Sequence, residues 1–557
     1  MKKMMKMLTV LFALTCAIMP VVGCGGGGVE KNKTQLYIGN YNQGFGQAWL
    51  DAAAKRFEEQ YADVSFEKGK TGVQVVIEDV EVSNNLYQSI ENSRSEVIFN
   101  EMADYFQWAK SGKVLDITDV VSGENASLEK YGDAAGATIE SKMYDSAIDY
   151  YRYENKYYGV PFYETYIGIM YDVDMWAERG YYIKDNAGGK FTWTKNVAEA
   201  WAGQDGEKGT SDDGLPITYD DFYALCARIK DSGEIAIAWS GKSNTGYSSA
   251  LLDALHADYE GREQMSLNYT LEGTATNVVD KIANGEVTVK TVEGVTAQTG
   301  YNLYRQAGRY YALNFFEHIM DGGYYSDKIF NKQTVTHLDA QNFFVIKNKF
   351  GGTSIRQDVA MLIEGTWWYN EAAGAFKSIE NRGGGQHDRN FGVLPMPKAT
   401  AEKAAADKGK QTLYDPKQSV CFVNAKTPEF KQSLAKEFIK FVHSDESLIE
   451  FTEIVSALKP YKYNVSDEKL AAMTPFARNL LKNRENSEMV YPYSHSTLFN
   501  NKRTDFLGSP NWSTRIGNDA YNHPTTALLS GISAEDYFNG LQYADPEVWK
   551  TTFEPYW

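Results

Sequence analysis

Apolar and polar positions along the chain switch between two periods. The run QLYIGNY alternates as a short strand. Behind it, Trp49, Ala53, Phe57 and Tyr61 recur on one face, which predicts a helix over about Gln47–Tyr61. The stretch GVQVVIEDVEV then reads as an apolar strand. Strand, helix and strand in that order predict a parallel sheet with helices on its faces, an α/β class. Further strands are predicted in EVIFN, on both sides of the proline in YYGVPFYETYIGIMYDV, and in EIAIAWS, DVAMLIEG, FGVLPMPK and QSVCFVNA. TYDDFYALCARIKDSG reads as a helix, with Thr218 as N-cap and Gly233 just past its end. LAKEFIKFVHS is amphipathic at helical spacing. No internal repeat and no coiled coil is legible.

The first residues follow another pattern. Lys2, Lys3 and Lys6 precede an almost wholly apolar run from Met7 to Val22. That run is short for a membrane span and suits a signal segment. It ends in Val21-Val22-Gly23-Cys24, which resembles a bacterial lipobox, and Gly25–Gly28 follow. The resemblance implies a signal peptide over 1–23 and lipid attachment at Cys24, with 24–34 as a flexible tether. The other reading is an ordinary secretion signal with an incidental cysteine. Cys16 lies inside the signal; Cys226 and Cys421 read as buried free thiols on an apolar helix face and in a strand.

At 557 residues the chain exceeds one ordinary core, so two or more lobes are expected. Net charge is −17, which argues against nucleic acid or an anionic membrane surface as partner. Aromatic residues make up 14%, which hints at aromatic-lined binding surfaces as well as a large core.

Several stretches, in order, carry a family likeness. They are YYGVPFYETYIGIMYDVDMWAERG, TYDDFYALCARIKDSG, VAMLIEGTWWYNEA, FGVLPMPK, SVCFVNAKTPEFKQSLAKEFIKFVHSDES and PTTALLSGISAEDYFNGL. The chain resembles the extracellular solute-binding proteins of ABC transporters, in the group that includes maltose-binding protein. That resemblance implies a two-lobed Venus-flytrap (type II periplasmic-binding-protein) α/β fold with mixed and parallel sheets, its discontinuous lobes joined by a hinge. The implied lobes are 35–160 plus 395–443, and 161–394 plus 444–557. Crossings are placed near Gly159-Val160-Pro161, near Leu394-Pro395-Met396-Pro397 and near Ser444. Residues 186–216 and about 273–300 look like additions to the simple family pattern.

A sugar presents apolar C–H faces and a ring of hydroxyls, so a site for it needs flat aromatic rings beside carboxylates and amides. In the resembling family a Gly-x-Trp after the AMLI strand supplies a stacking ring. That points to Trp367 for the cleft, with Trp368 as its alternative or as core. Trp239 and Asn244 follow EIAIA, and either line a cleft or belong to the core and a plain loop. Tyr163 and Glu164 follow the proline crossing; Glu164 reads equally as a hydroxyl acceptor or as half of an ion pair. Asn40 and Gln43 sit in a glycine-bearing loop before the first helix. Glu101 and Asp104 follow the EVIFN strand, where the resemblance implies an acidic ligand residue; Asp104 reads equally as a helix cap. Trp512 is a further cleft residue on a looser alignment. Asp205, Asp212 and Asp213 cluster on a loop and suit calcium, although their spacing is not that of an EF-hand and a solvated acidic turn is the other reading.

No HExxH, GxSxG, P-loop or strand-following GxGxxG is present. The family resemblance implies a receptor without catalytic residues or a required cofactor. It would be a lipid-anchored monomer on the outer face of the cytoplasmic membrane of a Gram-positive cell, passing an oligosaccharide to ABC permease subunits. The alternatives are a secreted polysaccharide-active lipoprotein enzyme and a receptor for another solute such as a peptide.

Overall fold

The computed structural model describes residues 28–557 apart from 43, 82, 102–104, 242–244, 284 and 331–334. Two four-stranded sheets organise the chain. In the first, Thr34–Asn40 lies between Val73–Asp79 and Val97–Asn100 and runs parallel to both. This is the arrangement the strand–helix–strand pattern predicts. Val420–Val423 closes that sheet in the antiparallel sense, Val420 opposite Asn100. The second sheet is ordered Phe391–Leu394, Ile167–Asp172, Val359–Gly365, Ile235–Ala238. Its two central strands are antiparallel, Met361 opposite Tyr171, and only the pair Val359–Gly365 and Ile235–Ala238 is parallel. Every residue of Ile167–Asp172 and Val359–Gly365 is buried, as expected where helices cover both faces. The fold is thus a two-lobed mixed α/β architecture. Between Phe391–Leu394 of the second sheet and Val420–Val423 of the first lies one strand, Gln411–Tyr414, which pairs instead with Ser487–Val490.

The helices form where the pattern places them. Ala48–Gln60 buries Trp49, Leu50, Ala53, Ala54 and Phe57. Tyr219–Asp231 starts at a capping box, Thr218 Oγ1 accepting from the Asp221 N–H while the Asp221 carboxylate accepts from the Thr218 N–H. Cys226 and Cys421 are free and buried.

Three chain segments run side by side between the lobes. Val160 and Cys421 exchange both backbone hydrogen bonds, at 2.9 and 2.7 Å. The Glu164 N–H donates to the Leu458 carbonyl at 2.8 Å. Ser419 Oγ accepts from the Phe162 and Tyr163 N–H groups and donates to the Tyr163 carbonyl. Gly159 sits against this seam: a Cβ there would lie 2.7 Å from Val420 Cγ2 and 2.9 Å from the Cys421 carbonyl oxygen. The helix Asp445–Val455 stays with the first lobe. Arg56 binds Glu450 and Ser447, and Phe451 packs on Trp49. Beyond that helix the chain reaches Leu458, whose carbonyl accepts from the Glu164 N–H. No helix among the described residues is long and apolar enough to cross a membrane.

Candidate functional site

Where the segments meet, a small cavity of about 60 Å³ is lined by Tyr41, Gly44, Phe45, Glu101, Tyr163, Thr165, Trp367, Glu371 and Lys417. Its walls come from the loop after the first strand, the end of the third, the first crossing, the turn after Val359–Gly365, and the returning segment before Val420.

Trp367 is positioned by its own turn. Thr366 donates its N–H to the Tyr166 carbonyl at 3.0 Å, and the short helix Trp368–Glu371 begins directly after Trp367. The indole folds back over Gly365, where a Cβ would sit 2.2 Å from ring carbons. Glycine at 365 is therefore required by the ring. Lys417 Nζ lies 5.0 Å from the Trp367 ring centroid and donates to Glu101 Oε1 at 3.2 Å. The Tyr163 hydroxyl donates to the other Glu101 oxygen, and the Phe45 ring packs 4.7 Å from Tyr163. On the far side Glu371 accepts from Gln341 Nε2 at 2.9 Å, and the same amide nitrogen reaches Glu364 at 3.0 Å.

Burial sets the electrostatics. Burial alone would lower Lys417, but the Glu101 carboxylate outweighs it and the ammonium is held above its usual value. Tyr41 is raised by burial and by Glu101. Glu364, wholly enclosed beneath the turn, is pushed well up by burial and by Glu371. Asp415 supports the Lys417 segment, accepting from the N–H groups of Lys417 and Gln418 at 2.8 and 3.1 Å. Burial pushes its carboxyl up to about 7.

Of the residues predicted for the cleft, the structure brings Trp367, Tyr163 and Glu101 together. Asn40 is buried at the end of its strand, one residue before Tyr41 and outside the lining. Glu164 turns the other way into a buried ion pair. Arg484 Nε and Nη2 donate to it at 2.6 and 3.2 Å, and Tyr491 donates at 3.1 Å. Three tryptophans belong to the core rather than to the cleft. Trp239 packs among Phe316, Tyr325 and Phe330, and Trp368 among Phe344, Phe391 and Phe476. Trp512 donates Nε1 to Asp253 at 2.9 Å with Arg309 over its ring. Gln43, Asp104, Asn244 and Cys24 lie outside the described residues.

The acidic loop folds upon itself. Asp212 accepts from the Asp205 N–H and Thr210 Oγ1, and Asp213 from the Gly209 N–H. Among the described residues no group of three or more His, Cys, Asp or Glu side chains could hold a metal ion.

Tyr41 and Gly44 come from the glycine-bearing loop that the sequence marks as a ligand loop, whereas Phe45, Thr165, Glu371 and Lys417 were missed as lining residues. A signal existed for Glu371, four residues after Trp367 and so on the same side of a helical turn. None existed for Lys417, which arrives from a distant segment.

The molecule is an α/β fold of two lobes with a small aromatic and charged cavity where the segments around Val160, Ser419 and Leu458 meet. Residues 41–448 match the model for bacterial extracellular solute-binding proteins, and the chain belongs to that family. No curated protein matches the chain in sequence. Among solved structures, the chain is similar to the cyclic α-maltosyl-1,6-maltose binding protein of Arthrobacter globiformis. The identity is 11% over 93% of this chain and 100% of that one, with a TM-score of 0.54. It is similar to the maltose-bound MalE3 of T. maritima, at 13% identity over 93% and 100% of the chains and a TM-score of 0.53. It is also similar to the GacH receptor of Streptomyces glaucescens, at 15% identity over 94% and 100% and a TM-score of 0.51.

Proposed function

We propose that this chain captures a carbohydrate, an oligosaccharide, between its lobes and delivers it to an ABC permease in the membrane, held there by a lipid on Cys24. The observation that carries the reading is Trp367, an indole held flat over Gly365 with Glu101, Tyr163 and Glu371 around it. Such a ring offers a face for pyranose C–H groups, and the carboxylates and phenol accept and donate to hydroxyls. The similar solved structures include binding proteins of maltose, cyclic maltosyl-maltose and acarbose, which supports a sugar over a peptide.

The cavity of about 60 Å³ is far below the ~300 Å³ at the low end of small-molecule sites. The lobes therefore separate to admit ligand, and Lys417 leaves the Trp367 face as the sugar stacks. A diacylglycerol on Cys24 supplies two chains, enough for stable anchoring. The Glu30 N–H already donates to Gln74 and Thr34 opens the first strand, so the tether expected over 24–34 is held to the lobe from Glu30 onward.

The test is thermal stabilisation and calorimetry with maltose to maltohexaose, raffinose and chitohexaose, with released products followed in the same samples. A ligand at a hundredfold its Kd stabilises the fold by about 2.7 kcal/mol. Stabilisation without product is the expected result; hydrolysis of any of these sugars would overturn the receptor reading in favour of an enzyme.

A further inference from the structure

A second concave surface lies on the second lobe and shares no residue with the cleft. It is a groove of about 580 Å³ between the helices Tyr219–Asp231 and Ala307–Gly322, walled on one side by the hairpin Gly273–Ala283 and Glu286–Val295. That hairpin falls in the segment the sequence marks as an addition.

The groove is aromatic and acidic together. His318 is exposed and stacks on Tyr223, centroids 4.6 Å apart and planes within 6°. The Tyr223 hydroxyl is buried and has no hydrogen-bond partner. Tyr311, half-buried, adds a second ring, 4.8 Å from Tyr259. Asp220, Glu286 and Glu402 bring three carboxylates to the lining beside the neutral polar Thr288, Asn314 and Thr400, and no Lys or Arg is among the described lining residues.

Each feature narrows the occupant. Three carboxylates without a cation repel an anionic ligand. A purely apolar partner would strip water from those carboxylates and return no hydrogen bond. A neutral sugar chain meets both demands, laying C–H faces on the rings and giving its hydroxyls to the carboxylates. The volume lies within the ~300–1,000 Å³ typical of small-molecule sites. We propose that this groove is a second carbohydrate site, which holds a stretch of neutral glycan independently of the cleft.

The test uses the chain from residue 25 onward with Trp367→Ala to weaken the cleft. The probes are maltohexaose, cellohexaose and chitohexaose, with tetralysine as the competing acidic-groove ligand. Binding is followed by calorimetry and by hydrogen exchange. The expected result is that at least one hexasaccharide binds with one equivalent and protects amides in 285–288 and 310–318. Its affinity then falls at least tenfold in both His318→Ala and Tyr311→Ala. His318 is exposed, so that variant leaves the fold intact, and amides in 365–371 report the cleft separately. If Trp367→Ala fails to fold, native mass spectrometry of the unsubstituted chain counts equivalents instead, two expected where the groove is intact and one in His318→Ala. The proposal is overturned if no hexasaccharide protects the groove segments, if binding survives both substitutions, or if tetralysine alone binds there.

Discussion

Single residues decide the cleft. Trp367 and Trp368 are neighbours with opposite fates, and their substitutions should separate accordingly. Trp367→Ala is expected to cost at least tenfold in sugar affinity, about 1.4 kcal/mol, by calorimetry. Trp368→Ala removes a fully buried indole from a ring cluster and should cost roughly 3–5 kcal/mol of stability in a denaturant titration. Gly365→Ala would drive a Cβ into the Trp367 ring, so sugar affinity should fall as in Trp367→Ala with a smaller loss of stability. Asp415 supplies the pH test. Its carboxyl is raised to about 7 by burial, against about 4 unfolded. The folded state then holds a proton that the unfolded state has released. The stability Asp415 contributes is complete below about pH 4 and is lost as pH rises through 7. In Asp415→Asn the fall of Tm between pH 4 and 7 should be shallower; an unchanged slope would refute the assignment.

At the scale of elements, the seam of three crossing segments is the feature to probe. Gly159 approaches Val420 and the Cys421 carbonyl too closely for a side chain. Gly159→Ala should therefore destabilise by roughly 1–3 kcal/mol, as overpacking does, and should alter the kinetics of ligand release more than equilibrium contacts in the cleft predict. Both are read from one set of stopped-flow and denaturant measurements. Elements were also where the sequence was most legible. Period alone located the helix Ala48–Gln60, and Thr218 announced the capping box of Tyr219–Asp231. Period did not reveal that the centre of the second sheet is antiparallel. Strands buried on both faces read as continuous apolar runs in either orientation.

For the whole molecule, the proposed sugar capture requires a second, open arrangement, because the cavity between Tyr163, Trp367 and Lys417 has only about 60 Å³. A dye pair across the lobes should report a distance distribution that is broad without ligand and narrows on adding a binding sugar. A single narrow distance in both conditions would contradict lobe opening.

What the sequence determined by itself is what local chemistry carries: element type from periodicity, caps from hydroxyl and carboxylate spacing, and the family from ordered stretches. Tertiary structure decided which polar and aromatic groups face inward. Glu164 is an ion-pair partner because Arg484, 320 residues later, arrives beside it. Trp239, Trp368 and Trp512 are core because distant rings and carboxylates enclose them, whereas Trp367 turns over a glycine into the space between lobes. Lys417 joins the site from a segment whose own pattern says nothing of it. Burial is a sum over neighbours from the whole chain, and so no local window of residues could contain it.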